Sequence, residues 1–258
     1  MTTIIAPDVN RFNFERVVNE LAIQKGIPTG DVKAGYKHMP HVLRIAQYIS
    51  PTASSYTFTV RKGVDTPIPG EIKLDTQDAF AVTGIGLRFS KADFASGAYS
   101  NHGNFPHFTF PDPNYFVGAP ASGTTKKEWE ALQTLLNGTL QVNVGGDTVV
   151  DGLVASLLTF NPPATYTSSP VALPQLGGSI EEHGAYQLTP QYILDAAQDN
   201  SFVLNLAAGA TDRTLIDGSV TAAGAAATTR NLVWLYLFGF KIKNHSGGPQ
   251  NLTGCRPV

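Results

Sequence analysis

The chain has 258 residues, a formal net charge of -2 and charged residues at only 15% of positions, against the roughly 25% usual for soluble domains. Its Lys and Arg form no basic block, which excludes the phosphate-tracking groove that nucleic acid requires. Hydrophobic residues at 42% suffice for a sizeable core, while the single cysteine, Cys255, excludes an internal disulfide and any cysteine-based metal site. A charge-poor surface fits coverage by neighbouring subunits; it also fits the Ser/Thr/Asn-rich exterior of an extracellular β protein. The opening residues Met1 to Asp8 lack the basic and apolar regions of a secretory leader, so export by the general route is not expected.

Taken in chain order, Asp8 to Lys25 reads as a helix. Val9, Phe12, Val17 and Leu21 recur at helical spacing, Phe14 and Val18 widen the stripe, Asp8 caps the start and Gly26 ends it. Residues 26 to 40, with three glycines and two prolines, read as an irregular connection. Strands are expected at His41 to Ile49, at Ser55 to Arg61 and at Asp78 to Ser90. Gly84 and Gly86 inside the last of these suggest a bulge or a close backbone approach. Residues 92 to 123 form a long Gly/Pro/Asn-rich segment with an aromatic centre at Phe105 to Phe116, a length that often marks an interaction surface.

Thr124 to Asn137 is expected to be helical, with Thr125 and Glu128 as a capping box and Trp129, Leu132, Leu135 and Leu136 on one face. Strands follow at Thr139 to Val144 and from Thr148 towards Phe160, joined by a turn at Gly145-Gly146-Asp147. A second loop covers residues 161 to 188. Thr189-Pro190 then has the pattern of a helix start, a cap followed by proline at the first helical position, and predicts a short helix through Gln198. Ser201 to Leu206 and Asn231 to Lys243 are strands. The second contains Leu232 to Phe240, nine uncharged residues, too few to cross a bilayer as a helix. Short strands with long excursions and few helices give a mainly β fold of the jelly-roll β-sandwich kind rather than a βαβ fold.

Catalytic signatures are absent from the sequence: there is no Gly-x-Ser-x-Gly elbow, P-loop or dinucleotide fingerprint. The pairs His38/His41 and His102/His107 lack the further ligands of a tetrahedral metal site. Glu181-Glu182-His183 is the tightest titratable group, and its Gly-rich setting reads as solvated charge. No catalytic residue, metal or cofactor is therefore expected, and the chain reads as structural rather than enzymatic.

Three segments carry a family resemblance: Asp78-Ala-Phe-Ala-Val-Thr-Gly-Ile-Gly-Leu, Phe108-Thr-Phe-Pro-Asp-Pro-Asn-Tyr-Phe, and Glu130-Ala-Leu-Gln-Thr-Leu-Leu-Asn-Gly-Thr-Leu-Gln-Val-Asn-Val. Over residues 78 to 160 the chain resembles the major capsid proteins of tailless icosahedral bacteriophages. The resemblance implies two tandem jelly rolls, though the chain is near the small end for two and a single elaborated roll stays open. The expected division is an N-terminal helical arm at 1–30, a first module at 31–138 and a second at 139–258. It also implies a homotrimer packed against neighbouring trimers, other capsid proteins such as a penton, an internal lipid membrane, and a place in the virion shell after synthesis in the host cytoplasm. The aromatic residues Phe12, Phe14, Phe105, Phe108, Phe110, Tyr115 and Phe116 are the candidate subunit contacts. Alternatively, these aromatics fold onto their own core. A β-sandwich module that binds carbohydrate or a receptor, with Phe105 to Phe116 as a stacking platform, is the competing function. A jelly-roll hydrolase using Glu181 or Glu182 is a third.

Overall fold

The computed structural model describes residues 7–26, 28–35, 37–93, 106–112, 116, 128–159, 185–206 and 229–243. The described chain is mainly β. It contains helices α1 (Pro7–Lys25), α2 (Thr29–Gly35) and α3 (Glu128–Gln133). The eight strands are β1 (Lys37–Tyr48), β2 (Ser55–Thr59), β3 (Ala79–Asp93), β4 (Thr139–Val144), β5 (Asp147–Val154), β6 (Tyr186–Asp195), β7 (Ser201–Asn205) and β8 (Thr229–Lys243). A 3-10 turn continues α3 through Asn137, and another, Ala155–Leu158, follows β5.

The strands form two four-stranded sheets, ordered β1-β8-β3-β6 and β2-β7-β4-β5. Every ladder is antiparallel. First pairs with last, second with seventh, third with sixth and fourth with fifth, as though one long hairpin had been folded over. The β8·β3 and β7·β4 ladders then join these pairs into sheets. Each sheet draws strands from both sides of residue 138, the expected boundary between modules.

Burial follows from the period-two pattern of the strands. Leu43 and Ile45 of β1, Phe80, Val82, Ile85, Leu87 and Phe89 of β3, and Val233, Leu235 and Leu237 of β8 point inward from the first sheet. They meet Tyr56 and Phe58 of β2, Leu140 and Val142 of β4, and Phe202 and Leu204 of β7 from the second. The two sheets thus face each other across one core, closed at its side by Leu132, Leu135 and Leu136. The hairpin between β4 and β5 turns at Gly145 and Gly146, with φ of 62° and 93°; two successive left-handed residues match the twist of the flanking strands. Buried Asn200 holds that turn to the β6–β7 connection. Its Oδ1 accepts Gly145 N at 3.2 Å, and its Nδ2 donates to Asp195 O at 2.6 Å.

The expected strands at His41, Ser55, Asp78, Thr139, Ser201 and Asn231 are all present, with ends displaced by a few residues. The bulge expected in β3 is there too: the register against both β6 and β8 shifts between Val82 and Gly84. Three expectations are corrected. Residues 189–195 belong to strand β6, not a helix. The β3·β6 ladder jumps from Val82↔Tyr192 to Gly84↔Gln187, so Pro190 falls in the skipped stretch of an edge strand, where its missing N–H costs no ladder bond. Residues 29–35, read as irregular, form α2, which Val32 anchors by complete burial. The second strand of the Gly145 hairpin ends at Val154 and gives way to a 3-10 turn. The expected α3 region begins at Glu128, and Thr125 of the capping box lies outside the described residues.

Candidate interaction surfaces

Helix α1 lies on the outer face of the first sheet. Val17, Val18, Leu21 and Ala22 pack with Val32 against Ala79, Ala81, Ile193, Phe240 and Ile242. The N-terminal segment, expected to reach a neighbour or the inner face of a shell, is thus seated on its own sheet over this stretch. Phe14 stands at the rim of that contact, its ring edge-on to His38 at 5.4 Å and to Phe240 at 5.7 Å.

The other candidate contact residues turn inward wherever they are described. Phe108 makes a two-bond bridge to Phe89, each N–H donating to the other's carbonyl at 2.8 Å, and extends the inner layer from β3. Phe110 is packed against the main core, and Phe116 is completely buried in it, 5.9 Å from Phe108 in an edge contact. A side chain with no exposed surface meets no second copy and stacks on no sugar, so Phe116 acts within its own subunit. The Phe12 side chain, Phe105 and Tyr115 lie outside the described residues, as do Glu181, Glu182, His183 and His102.

A cationic–aromatic cluster occupies the middle of the first sheet's outer face. Trp234 of β8 donates from Nε1 to Ser90 Oγ at 2.6 Å, His107 lies against the Trp234 ring at 4.5 Å, and the Tyr236 hydroxyl meets His107 Nδ1 at 2.9 Å. The Arg88 guanidinium sits 5.6 Å from the Tyr236 ring centre and donates to the Leu87 carbonyl. Burial pulls Arg88 down to about 10, which leaves it cationic at neutral pH. Burial, with the nearby charges of Arg44 and Arg88, pushes His107 down to about 4, so its ring is neutral there.

The only sequence-adjacent histidine pair in the described region, His38 and His41, stands three positions apart on β1 and so points to opposite faces of the sheet. No group of three or more His, Cys, Asp or Glu among the described residues is placed to hold a metal. A small open cleft of about 250 Å³ lies beside β1, with Glu71 and Asp65 in its wall. Glu71 is committed to structure: Oε1 accepts Ala46 N and Oε2 accepts Ile68 N, each at 2.8 Å, and buried Lys73 reaches Glu71 at 3.3 Å and Asp65 at 2.7 Å.

The outer face of the second sheet carries little charge: its acidic residues are Asp147 and Asp151, both exposed on edge strand β5. Strands β2, β4 and β7 contain no charged residue, and their outward positions carry Thr57, Gln141, Asn143, Ser201 and Val203. Thr57, Val203 and Gln141 form one row, because both ladders pair through Val203. Short side-chain bonds lace the face together: Gln141 to Thr148 at 3.0 Å, Thr148 to Asn143 at 2.9 Å, and Asn143 to Ser201 at 3.3 Å. Sequence reading identified the low charge but not that β2, β7 and β4 stand side by side without any, which emerges only when strands distant in sequence are set together. No protein-family model matches the chain, and no curated protein is similar to it.

Proposed function

We propose that the chain folds as one jelly roll, rather than two in tandem, and serves as a coat protein that self-assembles, as trimers, into an icosahedral shell. The strand order carries this reading. A single hairpin of four strand pairs, wrapped so that its halves form two facing sheets, gives the orders 1-8-3-6 and 2-7-4-5 seen here. Fold alone does not fix function, so the surface is the second support. Three neighbouring strands without charge, β2, β7 and β4, lose little solvation when an identical copy covers them. Individually weak contacts, repeated around a lattice, then hold a shell together. The carbohydrate-binding alternative is less well supported, since Phe108, Phe110 and Phe116 are turned into the core. Penton and membrane partners, and a site in the virion, belong to the same proposal.

Light scattering and negative-stain imaging of the purified full chain test it. Trimers or closed shells are the expected species. A protein that stays monomeric at high concentration, under conditions ranging from low to high salt, overturns the coat reading.

A further inference from the structure

Three polar side chains meet at the end of the main core with a geometry suited to bond formation. Lys91 of β3 and Asn231 of β8 are direct cross-strand partners. By the two-residue period of their strands, they face the same way as Phe89 and Val233, into the core. Glu128, the first residue of α3, reaches both. Lys91 Nζ lies 2.8 Å from Glu128 Oε1 and 2.9 Å from Oε2, and Asn231 Nδ2 donates to Oε1 at 2.6 Å. The nucleophile-bearing nitrogen and the nitrogen of the carboxamide therefore share one carboxylate oxygen. Asn231 is fully buried and the Glu128 side chain is 2% exposed. The Phe116 ring centre stands 5.8 Å from Lys91 Nζ and shields it.

From this juxtaposition we infer that Lys91 and Asn231 join in an autocatalytic intramolecular isopeptide bond, with Glu128 as the proton carrier. Lys91 Nζ yields a proton to Glu128 and, as a free amine, attacks Asn231 Cγ. The Nζ–Cγ bond forms and the Cγ–Nδ2 bond breaks. Of the three protons on the lysine ammonium, one stays on the new amide. The other two pass through Glu128 to Nδ2, which leaves as ammonium, and Glu128 returns to its carboxylate form. No oxidant or other reactant is required. Proximity drives the step: two groups held by one carboxylate in a water-poor pocket behave as parts of a single molecule, and positioning of this kind is worth several orders of magnitude in rate. The bond would tie β3 to β8, the central pair of the first sheet. The inference stands apart from the coat reading, since it depends only on the folded subunit.

Mass spectrometry of the denatured full-length chain tests it. The wild type is expected to weigh one ammonia less than its sequence, and a proteolytic digest is expected to yield a branched peptide joining Lys91 to Asn231. The branched peptide is decisive, because a succinimide at another asparagine loses the same ammonia. Glu128→Gln keeps the shape of the side chain but cannot carry the proton, so it should give separate peptides at full mass. Lys91→Arg, which keeps the charge and removes the nucleophile, should do the same if Glu128→Gln fails to fold. A wild-type protein that melts cooperatively, with the circular dichroism of a β fold, yet yields only unlinked Lys91 and Asn231 peptides overturns the inference.

Discussion

At the scale of single residues, a few positions are fixed by what surrounds them rather than by what they carry. Gly239 lies in the middle of β8, opposite the bulge of β3. A Cβ there would land on the Ala81 carbonyl oxygen and press on the Phe80 ring. The obstacle is backbone in a neighbouring strand and cannot rotate away. Gly239→Ala should therefore cost about 3 kcal/mol in urea unfolding, as overpacking at a rigid site does. His107 gives a different kind of prediction. Its folded value, about 4, is below the ordinary 6.5, so the unfolded chain takes up its proton first. Stability should fall as pH drops through about 6.5 and level off below about 4. Because the ring is partly exposed, the loss from this residue should be about 1 kcal/mol rather than the full value of the shift. Chemical denaturation at pH 7.5 and pH 5 should show a smaller pH difference for His107→Gln than for wild type. Some difference should persist, since burial and Lys241 also lower His41. An equal pH difference in the two proteins would remove His107 as a cause.

At the scale of elements, the legible parts of the sequence were those whose pattern is local. Ser55 to Thr59 and Thr139 to Val144 alternate because one face meets the core and the other meets water, and both are strands. Residues 189–195 misled because Thr189-Pro190 carries the local chemistry of a helix start. The β3 ladder overrides it, and its register jump accommodates the proline. Helix α2 was hidden by Gly30 and Gly35, which weaken helix propensity, while its stability comes from burying Val32. The Lys91–Glu128–Asn231 cluster was not visible at all. Its members are ordinary polar residues 37 and 103 positions apart, brought together by the β3·β8 register and the entry of α3. Helix α1 was legible as a helix, and Val17, Val18 and Leu21 of its predicted stripe are buried, together with Ala22, which the stripe did not include. Its docking site was not legible, because the complementary surface of Ala79, Ala81, Ile193, Phe240 and Ile242 is assembled from three strands. Since Leu21 is fully buried there, Leu21→Ala should cost about 3 kcal/mol in urea unfolding. An effect near zero would mean that α1 is detachable and free to act as an arm.

For the whole molecule, the uneven distribution of charge bears on the proposed assembly. The first sheet has its outer face covered by α1 and by the Trp234–His107 cluster, whereas the described residues place no such cover over the row Thr57, Val203 and Gln141 on the second. That row is uncharged, and the polar groups beside it, Thr148, Asn143 and Ser201, already bond to one another or to Gln141, so covering them with a second copy strips little water from unmatched groups. Lysine on the same row alters the balance. Thr57→Lys with Gln141→Lys adds two cations per subunit, and two facing copies would then each have to desolvate like charges. Within one subunit the change is mild, because Thr57 is exposed and the lost Gln141–Thr148 bond is a surface one. Its unfolding free energy should stay within about 1 kcal/mol of wild type. Size-exclusion chromatography should nevertheless find the double variant unassembled at concentrations where the wild type forms larger species. Added salt should recover part of the assembly, since about 0.5 M ions screen charges beyond a few ångströms. If the double variant assembles as well as wild type at low salt, copies do not meet across the second sheet.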